Sequence, residues 1–131
     1  MEPWLSFITL GVEDLERASR FYANGLGLSQ AKSPSGAAFF QLGQTRLALY
    51  PRELLAADAG LTPGVPGFAN VALACNVASR AEVDRLLEAA AKAGGRITQP
   101  GRAMDWGGYA GYFTDLDGFA WEVAWNPRSG I

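Results

Sequence analysis

The chain repeats itself, and the repeat limits what it can fold into. FITLGVEDLERASRFYANGLGL leads to FFQLGQTRLALYPR in the first half, and NVALACNVASRAEVDRLLEAAAKAGG leads to YFTDLDGFAWEVAWNP in the second. Each half holds an apolar strand, a helix, and strand-forming runs that end in a hairpin. Neither half has enough apolar surface to fold alone. The pattern therefore predicts an α+β fold of two βαβββ modules forming a curved mixed sheet, with helices on the outer face and a central cleft on the inner one. Histidine is absent from the chain, so any site on it has to work without imidazole.

Local signals place the elements. Residues 6–12 read as a strand, and Asp14 can cap the helix that follows. Leu15, Ala18 and Tyr22 share the apolar face of that helix, and Asn24-Gly25 with Gly27 end it. Strands are expected at 28–33 and 37–42, split by Ser35-Gly36, and a turn at Gly43-Gln44 leads into 45–50, which Pro51 stops. A short helical turn fits 52–57. Pro63, Gly64, Pro66 and Gly67 then make a stiff linker, so module one runs over about 5–62 and module two over about 67–127 of a single domain. In the second module a strand is expected at 68–75. Ser79 and Glu82 form a capping box, and Val83, Leu86, Leu87, Ala90 and Ala91 recur at helical spacing up to Gly94-Gly95. A strand at 96–99, a loop at 100–108, a strand at 109–114, a turn at Asp117-Gly118 and a last strand at 119–125 complete the order.

Composition narrows the function. With 131 residues, 49% of them hydrophobic, the chain is one domain able to bury a core. Its net charge of -2 offers nucleic acid no basic face. No apolar run approaches a membrane span, and Met1-Glu2-Pro3-Trp4 lacks the basic start of a signal peptide, so the expected location is cytoplasmic. Cys75, the single cysteine, lies in an apolar run and reads as a small buried side chain. No Ser–His or Cys–His pair can form without histidine, and no phosphate-binding glycine loop is present. Asp115 and Asp117 flank a hairpin and read as turn chemistry.

The element order, with V-x-D-L-x-R-A-x-x-F-Y and L-G-L at the front and D-x-D-G-x-x-W-E-V at the back, resembles the vicinal oxygen chelate superfamily. That superfamily includes glyoxalase I, extradiol dioxygenases and bleomycin-resistance proteins. The resemblance runs from about Ser6 to Pro127, and it departs at Leu116, where the family usually has proline. The family's metalloenzymes take ligands from the first and last strand of each module. Carried onto this chain, those positions fall on Phe7, Ala48, Asn70 and Glu122. Only Glu122 is an ordinary ligand, whereas a catalytic metal needs about three. The resemblance thus implies a lost metal site, and neither a metal nor another cofactor is expected.

Glu122 lies between Trp121 and Val123 on a strand and must face away from both. It either contacts a ligand, as anchor or as general base, or is tied to a donor such as Arg46 or Asn70. Alternation also turns Thr9 and Asn70 toward the cleft, and Arg46 shares parity with Ala48 and Tyr50. Phe7, Tyr50, Trp106, Tyr109 and Tyr112 fall on cleft strands or on the loop above them. Trp106, flanked by Gly107-Gly108, can act as a lid over an apolar ligand. Three functions follow. The first is metal-free binding of a small, partly aromatic molecule. The second is a metal-independent lyase or isomerase with Glu122 as acid or base, and the third is a non-catalytic interaction protein. A homodimer is expected in each case, because a two-module sheet leaves edges and apolar rims to cover.

Overall fold

A computed structural model describes residues 1–31 and 36–128. The chain divides into two compact units, Met1–Val65 and Pro66–Ile131, meeting in the proline-glycine linker. Among the described residues the strands pair into two four-stranded mixed sheets, one in each unit, and the class is α+β. No helix among them is long and apolar enough to cross a membrane.

Module one runs β1 (Phe7–Val12), α1 (Leu15–Arg20), β2 (Gln30–Ala31), β3 (Ala38–Leu42), β4 (Thr45–Pro51) and α2 (Arg52–Ala59). The sheet order is β1-β4-β3-β2, with β1 parallel to β4 and the other pairs antiparallel. Asp14 caps α1 by accepting from the Arg17 backbone N–H at 3.1 Å. A π-helical turn over Phe21–Gly25 prolongs α1 and buries Phe21 and Tyr22. These rings join Leu10, Val12, Phe40, Leu47 and Leu49 in the core on the helix side of the sheet. The expected strand over 28–33 is shorter in the described part, and its residues 32–33, like Ser35, lie outside the described residues. The turn expected at 52–57 is the full helix α2.

Module two runs β5 (Ala72–Asn76), α3 (Arg80–Lys92), β6 (Arg96–Ala103), β7 (Tyr109–Thr114) and β8 (Ala120–Trp125), in sheet order β5-β8-β7-β6. The capping box forms: the Glu82 N–H donates to Ser79 Oγ at 3.2 Å, and Glu82 Oε2 accepts from the Ala78 N–H at 3.0 Å. Asp115 Oδ1 accepts from the Asp117 and Phe119 N–H groups, which is the expected turn chemistry.

Two element boundaries differ from the sequence reading. The first strand of module two starts at Ala72 instead of residue 68, because Asn70 has φ 61° and a left-handed residue breaks a strand. Strand β6 continues through Pro100-Gly101, which the sequence marked as loop. The β6–β7 ladder slips register on both sides of Gln99, and an edge strand tolerates a proline at such a bulge.

The α3 face packs on β7 and β8 through Val83, Leu87 and Ala90, against Phe113, Trp121 and Val123. The Phe113 and Trp121 rings stack 6.2 Å apart at 3°. Gly111 admits this close approach. A Cβ there would lie 2.6 Å from Leu87 Cδ1 and 2.8 Å from the Gln99 carbonyl oxygen. Gly111→Ala is therefore expected to cost about 1–3 kcal/mol, because the backbone contact cannot yield. Chemical denaturation should show the midpoint falling with an unchanged slope, and an unchanged midpoint would mean that α3 does not sit where described.

Candidate functional site

Strand alternation decides what each sheet presents on the face away from its helix. In β8, Trp121 and Val123 are buried under α3, so Ala120, Glu122 and Ala124 point the other way. The register carries this face across the sheet. Glu122 pairs with Ala74 of β5 and with Tyr112 of β7, and Arg102 of β6 pairs with Ala110. A cavity of about 480 Å³ opens on this face, lined by Ala74, Asn76, Trp106, Glu122, Ala124, Asn126 and Arg128. All of these residues belong to module two.

Within the cavity Glu122 is half-buried. The Tyr112 hydroxyl donates to Glu122 Oε2 at 3.2 Å. Among the described residues Asn70 is not a hydrogen-bond donor to Glu122. Arg46 donates through Nε to Gln41 Oε1 at 3.1 Å, and Asn70 is an exposed linker residue. Partial burial, then the Glu122 charge and their hydrogen bond, raise the Tyr112 phenol above its ordinary value, while Arg102 opposes the shift. The phenol thus remains a donor at neutral pH and fixes one carboxylate oxygen. Burial and, secondarily, Glu122 also push the Cys75 thiol up, which keeps it protonated and unreactive.

Trp106 lines the cavity at 41% exposure. It sits in a tight turn between β6 and β7. The Met104 N–H donates to the Gly108 carbonyl at 2.8 Å, and the Gly107 N–H donates to the Met104 carbonyl at 2.9 Å. Gly107 adopts φ 98°, and a Cβ on Gly108 would strike the Trp106 ring. Gly108 therefore lets the indole approach the backbone closely. The glycines do not leave the turn without internal bonds.

Tyr109 is on the other face. Its hydroxyl donates to Asp84 Oδ1 of α3 at 2.9 Å, and the Arg80 guanidinium lies 5.7 Å from its ring centroid and 5.4 Å from that of Trp125. It is outside the cavity.

In module one, Phe7, Thr9, Arg46, Ala48 and Tyr50 do share a face, since Phe7 pairs with Arg46, Thr9 with Ala48 and Gly11 with Tyr50. Arg46 lies over the Phe7 ring at 5.9 Å, and Phe39 meets Phe7 edge-on at 5.8 Å. A second cavity of about 530 Å³ is lined by Trp4, Leu5, Ser6, Phe7, Gln44, Thr45 and Arg46.

Sequence reasoning missed Asn76, Asn126 and Arg128. A signal was present for Asn76, which follows Ala74 by one alternation step on β5 and so shares its face, whereas Asn126 and Arg128 lie beyond the last strand. It also misplaced one position of the repeat. Phe7 precedes its helix cap Asp14 by the same interval as Ala72 precedes Ser79. The sheets agree, since Thr9 pairs with Ala48 as Ala74 pairs with Glu122. Ala72, not Asn70, is therefore the counterpart of Phe7.

The chain belongs to the Glyoxalase/Bleomycin resistance protein/Dioxygenase superfamily, whose family model matches residues 4–123. It is similar to a glyoxalase-related enzyme from Fulvimarina pelagi, with 36% identity, 95% of this chain and 89% of that one covered, and a TM-score of 0.88. A glyoxalase/bleomycin resistance protein/dioxygenase from Nocardioides has 25% identity, 99% and 87% coverage, and a TM-score of 0.80. Lactoylglutathione lyase from Agrobacterium tumefaciens, at 24% identity, 100% and 99% coverage and a TM-score of 0.74, shares the fold. No curated protein sequence matches the chain.

The metal that family resemblance implies does not fit the residues present. Its positions hold Phe7, Ala48, Ala72 and Glu122, which offer one carboxylate between them. Among the described residues no three His, Cys, Asp or Glu side chains converge. One carboxylate does not make a site for a catalytic metal.

The Tyr112 environment is directly testable. Replacing Glu122 with Gln removes the charge that helps raise the phenol, so its titration should move down toward the ordinary tyrosine value of about 10. NMR of ring-labelled tyrosine across alkaline pH reads this, and an unmoved Tyr112 titration would place Glu122 elsewhere.

Proposed function

We propose that the protein binds a small, partly aromatic organic molecule, without a metal, on the open face of the module-two sheet. The observation that carries this reading is Glu122 in a cavity of about 480 Å³, with one oxygen held by Tyr112 and an indole beside it. That volume lies in the range of small-molecule sites, roughly 300–1,000 Å³. Ala74, Ala124 and Trp106 offer apolar wall, and Asn76, Asn126, Glu122 and Arg128 offer polar contacts at fixed places. Apolar residues at three of the four metal positions favour binding over metal-assisted chemistry.

Trp106 provides the test. If a ligand buries its exposed face, truncation removes roughly 1.5–3 kcal/mol, about ten- to a hundredfold in affinity. Ligand-observed NMR with 2-phenylethanol, in excess EDTA, compares the parent with Trp106→Ala. Binding that survives EDTA and weakens by about tenfold in Trp106→Ala is expected. Binding lost on chelation, or unaltered in Trp106→Ala, would contradict the proposal.

The expectation of a homodimer gains support from module one. Trp4, Leu5 and Phe7 are 62%, 58% and 47% exposed beside the edge strand β1. A cluster of this kind on a sheet edge favours pairing with a second copy. Light scattering should give twice the 13.9 kDa chain mass, and Phe7→Glu should shift it toward one. A monomeric parent would overturn the dimer.

A further inference from the structure

The module-two cavity carries two opposite charges that do not meet. Glu122 lies on its β8 floor, and Arg128 lies on its wall beyond Asn126. They are not within the 4.0 Å of an ion pair. Tyr112 occupies Glu122 Oε2, and no donor among the described residues reaches Oε1. The Arg128 backbone N–H donates to Asn126 Oδ1 at 3.0 Å, which ties the chain back beside the cavity, while its guanidinium has no carboxylate partner among the described residues.

Separated charges of opposite sign on one concave surface are complementary to a molecule that carries both. A lone cation would gain from Glu122 but meet Arg128, with Arg102 also on this face. A lone anion would gain from Arg128 but meet Glu122. Either singly charged ligand leaves one protein charge uncompensated on an otherwise largely apolar wall. A zwitterion satisfies both with charge-assisted hydrogen bonds. Ala74, Ala124 and the exposed face of Trp106 then cover its apolar part.

We propose that the ligand class is a zwitterion bearing an aromatic group, an amino acid or short peptide, with its ammonium on Glu122 and its carboxylate on Arg128. This rests on the binding reading above and names the chemistry that the same site selects. Tyr112 is a positioning residue here: by holding Oε2 it directs Oε1 to the ammonium.

The experiment is calorimetric titration of the full chain with four probes that share one ring. L-phenylalanine and phenylalanylglycine carry both charges at two spacings, 2-phenylethylamine carries only the positive one, and 3-phenylpropionate carries only the negative one. At least one zwitterion is expected to bind about tenfold or more tighter than both singly charged probes, as one added charge-assisted bond would give. Arg128→Gln should erase its advantage over the amine, and Glu122→Gln its advantage over the carboxylate. Arg128→Lys should restore part of the first, which separates a lost charge from a disturbed fold. Equal affinity for all four probes, or preference for a singly charged one, overturns the zwitterion but leaves small-molecule binding standing. Failure of every probe to bind overturns both.

Discussion

The strand alternation of β8 is the constraint on which the site depends. Trp121 and Val123 are committed to the core under α3, Trp121 through its stack on Phe113. A strand that buries those two side chains must send Glu122 and Ala124 to the opposite face. The parallel pairing to β5 then supplies Ala74 and Asn76, and the antiparallel pairing to β7 supplies Tyr112. A slip of one residue in β8 would bury a carboxylate among aromatics and expose the tryptophan. Core packing thus fixes the position of the cavity's carboxylate, and the Tyr112 hydroxyl fixes its orientation.

The two modules share an architecture and differ in what they present. On the open face of module one, Phe7, Phe39 and Arg46 satisfy one another through ring and cation–π contacts, and Arg46 is further held by Gln41. On that of module two, a carboxylate, two asparagines and an arginine line a cavity with an indole. The proposed dimer contact falls beside the first arrangement, and the proposed ligand site is the second. The superfamily supplies the frame, and residue chemistry at these few positions decides the use.

Much of this was legible in the sequence. Helices α1 and α3 were announced by Asp14 and by the Ser79–Glu82 box, and the β-hairpins by their glycine turns, because caps and turns depend on short-range hydrogen bonds that neighbouring residues specify. The parity of Glu122 was readable from Trp121 and Val123. What failed was register and boundary. Asn70 looked like a strand residue because it precedes an apolar run, yet asparagine is among the few residues that accept a left-handed backbone, and it does so here. Pro100-Gly101 looked like a loop because the bulges that accommodate it arise from pairing with β7, which the local sequence does not contain. Tyr109 and Tyr112, three apart on one strand, cannot share a face, and alternation alone assigns Tyr109 to the side opposite Glu122. Arg128 and Asn126 follow the last strand, where no periodic pattern marks them.

The proposed binding of a small molecule would occur on the open face of module two, without metal assistance. Backbone and indole amide NMR of the isotope-labelled protein, titrated with phenylalanylglycine in excess EDTA, tests it most directly. Shifts are expected to concentrate at Ala74, Asn76, the Trp106 indole, Glu122 and Ala124, with the α3 amides unmoved. Shifts confined to module one, or appearing only after a divalent metal is restored, would contradict it.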